Sequence, residues 1–212
     1  MASCKLDKPD FSGYNKIDST GNPGNPVLSD TYQPVNKGSY WKYKNVIGTE
    51  TDTTTAVLTG ESTVINNRTY YEGVGTSTVQ PYNDTSYLSR DNHIYTTLST
   101  TGGVVVELYY LNDTTAVGHG WVAPINSTGS ILGIPGQFVG KILKRGISKT
   151  VSGKTFANVI HSQVLLQYDY GSGFSTYITY DNYVARGIGI IEVDTNGSGI
   201  TDIETLYDYS IK

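Results

Sequence analysis

The sequence predicts a mainly β domain, folded as a single curved antiparallel sheet that forms a half-barrel or barrel, with a β-sandwich as the alternative. Three observations carry this expectation. The 212 residues hold 18 Tyr and 24 Gly but only six Ala and a single Met, a composition that favours strands over helices. Runs of Val, Ile, Thr and Tyr are cut repeatedly by Gly and Asn turns, which is the pattern of hairpins. No segment offers a capped, helix-length period, and parallel strands need long crossovers, so neighbouring strands should be antiparallel. The length suits one domain, and no run of 18 apolar residues offers a membrane-spanning helix.

The domain is expected over residues 39–212. Residues 39–47 alternate, with Trp41, Tyr43 and Ile47 on one side and Lys42 and Lys44 on the other, as a half-buried strand requires. Runs 53–65 and 69–74 flank Asn66-Asn67, and runs 86–90 and 93–98 flank Asp91-Asn92; both pairs tolerate the positive φ of a tight hairpin. Residues 104–111 follow Gly102-Gly103 and end in a turn at 112–115. A short strand at 121–125 precedes the apolar, Gly-rich stretch 126–136. That stretch reads either as a lid or binding loop, or as a packed surface loop. Strands at 137–148, 155–170, 175–184, 188–193 and 201–211 complete the domain. About eleven strands make a sheet so twisted that it must curl or split. Curling gives a lipocalin-like or lipoprotein-carrier-like barrel, and splitting gives a sandwich.

Cys4 is the only cysteine, so no disulfide forms within the chain. It follows Ala2-Ser3, and small residues before a cysteine near the N-terminus resemble a bacterial lipobox, in which the cysteine is acylated. Residues 5–38 hold Pro9, Gly13, the run Gly21-Asn22-Pro23-Gly24-Asn25-Pro26, Pro34 and Gly38, which rules out a helix or a central strand. The expectation is a lipidated tether over residues 1–38, anchored through Cys4 by two or more acyl chains. That makes an outer-membrane lipoprotein on the periplasmic or cell-surface face.

A net charge of −4 speaks against a nucleic-acid partner. No acid occurs between Asp113 and Asp169, an interval that carries Lys141, Lys144, Arg145, Lys149 and Lys154. It reads as a patch for an anionic ligand near Lys141, Lys144 and Arg145, or as solvated strand faces. His93, His119 and His161 lack metal-ligand spacing, and no nucleophile elbow or phosphate loop appears, so no metal, cofactor or catalytic residue is expected. Asp194-Thr195-Asn196-Gly197-Ser198-Gly199 imitates the start of a calcium loop, but Thr205 stands where the closing Glu belongs; the same residues suit a hairpin turn. Tyrosine is the better hint. Adjacent pairs such as Tyr70-Tyr71 and Tyr109-Tyr110 must point to opposite sheet faces. Tyr70, Tyr109, Tyr168 and Tyr180 are the candidate ligand-binding residues, lining an amphipathic pocket, unless they serve ordinary cross-strand packing.

Four short motifs follow one another: Gly38-Ser39-Tyr40-Trp41-Lys42-Tyr43, Gly118-His119-Gly120-Trp121, Thr155-Phe156-Ala157-Asn158-Val159 and Ala185-Arg186-Gly187-Ile188-Gly189-Ile190. Gly before Trp allows a tight strand start, and Trp buries a large area; Phe156 and Val159 read as core anchors around a bulge or turn. In this order, over about residues 38–194, the motifs resemble an uncharacterised family of cell-envelope lipoproteins of Bacteroidetes-type bacteria. The resemblance implies an exported β-rich lipoprotein and supplies no catalytic residues.

The expected function is that of a non-catalytic cell-envelope lipoprotein. It would bind an amphipathic ligand, a lipid or glycan, or an envelope partner, and meet the membrane through its N-terminal acyl chains. The alternatives are a hydrolase acting on cell-surface glycans through paired carboxylates and a structural or adhesion module.

Overall fold

The computed structural model describes residues 31–65, 67–79, 83–101 and 104–212, and no helix occurs among them. The chain runs through β1 (Tyr40–Ile47), β2 (Glu50–Ile65), β3 (Arg68–Ser77), β4 (Asn83–Asp91), β5 (Ile94–Thr101), β6 (Val104–Asn112), β7 (Gly120–Pro124), β8 (Ser130–Ile131), β9 (Ile134–Val151), β10 (Lys154–Asp169), β11 (Phe174–Ala185), β12 (Gly189–Gly197) and β13 (Ile200–Ser210). One antiparallel sheet takes the order β6-β5-β4-β3-β2-β1-β13-β12-β11-β10-β9-β7, with β8 paired on β9. Most neighbours are consecutive hairpins. The exception that matters is β1 against β13, Trp41 opposite Tyr209 and Ile47 opposite Asp202, which joins the two ends of the domain. The sheet curls into a nearly closed barrel, as the sequence predicts, and the sandwich alternative falls away.

The seam lies between β6 and β7. An open strand edge is a template for aggregation, and here the edge of β6 is covered. Glu107 N–H donates to the Ile125 carbonyl at 2.9 Å, Trp121 Nε1–H to Tyr109 at 3.2 Å, and Ser162 Oγ–H to Tyr110 at 2.7 Å.

Turn chemistry follows from backbone sign. Ser152-Gly153 (φ 48° and 76°) joins β9 to β10, and Ser198-Gly199 (φ 50° and 76°) joins β12 to β13; paired positive φ values match the twist of the flanking strands. The Asp194–Gly199 stretch is thus a strand end and its turn. The β4–β5 turn falls on Asn92-His93 (φ 46° and 69°), one residue later than the expected Asp91-Asn92. Residues 126–136 are not an irregular loop throughout: β8 folds onto the start of β9, with Leu132 and Gly133 at positive φ. In the third motif Asn158 takes φ 53°, and the register slips from Phe156↔Lys149 to Val159↔Ile147. This bulge drives both Phe156 and Val159 into the core.

The motifs meet in space. Trp41 is buried with Phe156, Val159 and Leu206, and its Nε1–H donates to the Ile188 carbonyl at 2.7 Å. Gly189, beside that bond, takes φ 109°, a backbone conformation that side-chain-bearing residues rarely adopt. Trp121 is half-buried and lies flat over Gly140, where a Cβ would collide with its ring.

Strand register defines two ends. One end carries the turns at 65–68, 91–94, 151–154 and 185–189, and residues 31–38 pack across it. Thr31, Gln33 and Val35 are buried there, Gly187 N–H donates to the Thr31 carbonyl at 2.7 Å, and the Tyr110 hydroxyl donates to Gln33 Oε1 at 3.0 Å. The packed body therefore starts ahead of Ser39 and includes residues expected in the tether. Cys4 lies outside the described residues. The opposite end carries the turns at 47–50, 77–83, 101–104, 131–134, 169–174 and 197–200.

Candidate functional site

Strands β1 to β5, β12 and β13 border a space inside the barrel with two compartments. The deep one, about 150 Å³, is walled by Trp41, Tyr43, Leu58, Leu88 and Ile190 and closed by Gln33 of the N-terminal plug. The outer one, about 460 Å³, leads towards the unplugged end past Asp52, Thr54, Thr76, Ser77 and Asp84. Tyr43, Ala56, Ser86 and Glu204 border both. Period-two alternation explains the gradient. Along β2, Leu58, Ala56 and Thr54 share one face; along β13, so do Leu206, Glu204 and Asp202. Each series runs from apolar to polar as it nears the mouth.

Glu204 stands where the two compartments join. Burial pushes its carboxyl up to about 7, with the charge of Asp202 adding to the effect. It retains some accessible surface, and since it lines both compartments that surface faces the cavity. Burial also holds the Tyr43 hydroxyl well above its ordinary value, Glu204 adding to the rise; that hydroxyl donates to the Ile190 carbonyl at 3.0 Å. Asp52 is the opposite case. Hydroxyls of Ser77 at 2.7 Å and Thr78 at 2.8 Å donate to it and hold its carboxyl below the usual range. A carboxyl that is half-protonated near neutrality can donate a hydrogen bond as an acid or accept one as a carboxylate. A mainly apolar compartment of about 150 Å³ is on the scale that admits a benzene-sized group.

The four tyrosines singled out in the sequence lie elsewhere, in two pairs. Tyr70 is fully buried and its hydroxyl donates to Glu107. The Arg68 guanidinium lies 2.9 Å from both Glu107 Oε1 and the Tyr109 hydroxyl. Tyr70 and Tyr109 thus converge on an ion pair within the packed body. Tyr168 and Tyr180 pack against the cluster of Phe138 and Val164, Tyr168 edge-on to Tyr177 at 5.4 Å. Neither pair lines either compartment; Tyr43 is the tyrosine that does. Lys141 and Lys144 are exposed on β9. Arg145 is committed to the carbonyls of Asp113 and Thr115 that follow β6. Glu204 escaped the sequence reading, its one signal being an acid two residues before the core residue Leu206.

Among solved structures, a putative lipoprotein from Parabacteroides distasonis superposes with a TM-score of 0.52, covering 84% of this chain and 98% of its own at 11% identity. A putative exported protein from Bacteroides fragilis with a YmcC-like fold gives 0.51, covering 84% and 97% at 5% identity. At such identities the likeness is one of fold. No protein-family model matches the chain, and no curated protein matches it in sequence. The class is that of a nearly closed antiparallel barrel, plugged at one end and hollow towards the other, sharing its fold with these two proteins.

Proposed function

We propose that this protein is a non-catalytic binding protein of the cell envelope that holds an amphipathic ligand inside the barrel. The observation that carries the reading is the continuous space graded from Trp41, Leu58, Leu88 and Ile190 to Asp52 and Asp84. The apolar part of the ligand occupies the deep compartment. An uncharged or cationic polar part, such as a hydroxyl-rich or amine-bearing group, suits the acidic outer one. The lipoprotein and exported protein that share the fold, and Cys4 after Ala2-Ser3, support a cell-envelope lipoprotein held by acyl chains; its place in the outer membrane is part of the proposal. The uncharged fluorophore N-phenyl-1-naphthylamine tests the cavity. It should brighten and saturate with the wild-type chain and fail to do so with Ala56→Phe, which fills the junction. No brightening, or equal brightening in the variant, defeats the reading.

A second reading, a glycan hydrolase, draws on Glu204 raised to about 7 while Asp52 is held low, the divergence expected of an acid and its ionised partner. Asp52, however, also accepts the backbone N–H groups of Thr53 and Val79, which suits a fixed turn more than a mobile base. Release of p-nitrophenol from p-nitrophenyl glycosides, lost in Glu204→Gln, would favour the hydrolase.

A further inference from the structure

Exposed apolar side chains are concentrated at the unplugged end of the barrel. Ile47, Val79, Leu132, Tyr170, Phe174 and Ile200 are 45% to 90% exposed. They sit on or beside five different hairpin tips of that end. Strand amphipathicity inverts there as well. On β13, Ile203 points outward at 43% exposure, while Glu204 faces the cavity. Near the plugged end of the same strand Leu206 faces inward and is fully buried. Charge is polarised in the same direction. Residues 47–52, 77–84, 101–104, 131–134, 169–174 and 197–200 contain no Lys or Arg, although the chain has 15. Arg68, Lys149, Lys154, Arg186 and Lys212 lie at the plugged end.

We infer that the unplugged rim is a lipid-docking surface, which sets its apolar hairpin tips into a zwitterionic bilayer and the mouth of the cavity against it. Side chains on separate turns can each enter a fluid interface without a matching shape, and aliphatic and aromatic residues gain most from that zone. The charge selects the kind of lipid. Anionic surfaces attract Lys and Arg, whereas this rim has neither and carries Glu50, Asp52 and Asp169. The N-terminal segment permits the orientation. Residues 5–30 reach at most about 90 Å when extended, more than the roughly 60 Å of the 18-residue strand β9. A chain anchored at Cys4 and joined at the plugged end can therefore still turn its mouth to the same membrane. The inference rests on the rim alone. It stands whether or not the cavity is filled, and it brings the mouth of the cavity next to a bilayer-borne ligand.

The test is flotation of the full chain carrying Cys4→Ser, so that acylation plays no part, with phosphatidylcholine vesicles. The chain should float, and adding phosphatidylglycerol should not increase the bound fraction. Leu132→Ser with Phe174→Ser should lower binding about tenfold or more, since each loses an apolar side chain from the interface; Ile47→Ser with Ile200→Ser should do the same. Val117→Ser with Val122→Ser, exposed apolar positions away from the rim, should float like the parent. Circular dichroism checks that each variant is folded. The inference is overturned if the parent stays at the bottom of the gradient. It also fails if the control pair loses binding equally, if binding needs phosphatidylglycerol and ignores the tips, or if sedimentation shows the rim occupied by a second copy. None of these results bears on the fluorophore assay, so the two readings fail separately.

Discussion

Glu204 should make the barrel weaken as pH rises through the neutral range. An unfolded chain releases this proton near the ordinary value of 4.5, and the folded chain holds it until about 7. Stability from the protonated carboxyl is therefore complete below about pH 4.5 and is lost as pH climbs to about 7. The gap corresponds to at most about 3–4 kcal/mol. Glu204 keeps some accessible surface and the effective dielectric around it is well above that of a dry interior, so about 2 kcal/mol is the working figure. Glu204→Gln keeps the shape and removes the titration. Its urea midpoint should match wild type at pH 4.5 and exceed it at pH 8 by about 1 M, given a slope near 2 kcal/mol/M for a domain of this size. Taking the difference between the two proteins at each pH cancels the other carboxylates, including Asp52, which titrates in the opposite sense. An equal difference at both pH values would refute the placement of Glu204 in a poorly solvated cavity.

Trp41→Ala should cost about 3–5 kcal/mol in urea denaturation, as expected for a buried aromatic, and Trp121→Ala clearly less because Trp121 is only half-buried; equal losses would count against the packing described. Gly140→Ala should cost about 1–3 kcal/mol by forcing the Trp121 ring aside, and Trp121→Leu in the same chain should recover part of it. Arg68→Met should cost about 3–5 kcal/mol by stranding buried Glu107, with adding Glu107→Leu restoring part of the loss, since the Tyr70 hydroxyl then loses its acceptor; no recovery would show that the pair is not coupled.

Hairpins were legible because their signals are local. Ser152-Gly153 and Ser198-Gly199 carry the glycines that positive φ favours, and the alternation of Trp41 and Tyr43 against Lys42 and Lys44 reports which face of β1 is buried. The β8–β9 hairpin was illegible because its first turn residue is Leu132 at φ 51°, a conformation that leucine rarely adopts. The β1–β13 pairing joins residues far apart in the chain, which no short-range pattern encodes. The cavity was harder still. Tyrosine composition pointed to a pocket, but a hydroxyl tied to Glu107, as in Tyr70, satisfies a buried tyrosine just as well. Near the mouth the usual rule reverses, so alternation read from Ile203 and Glu204 assigns each to the wrong face.

The pairing of the first strand with the last also sets a schedule. The meander β1 to β6 can form hairpin by hairpin as it leaves the ribosome or a secretion channel, but β1 has no second neighbour until Ile200–Ser210 arrive. The main core draws on both ends of the domain, from Val35 and Trp41 to Leu206. Until the last dozen residues are delivered, that core is missing a wall and β1 and β12 expose bare edges. Closure is therefore a late, long-range event, of the kind that folds slowly. A chain stalled before β13 lacks the strand that joins β1 to β12 and remains an open ribbon rather than a barrel.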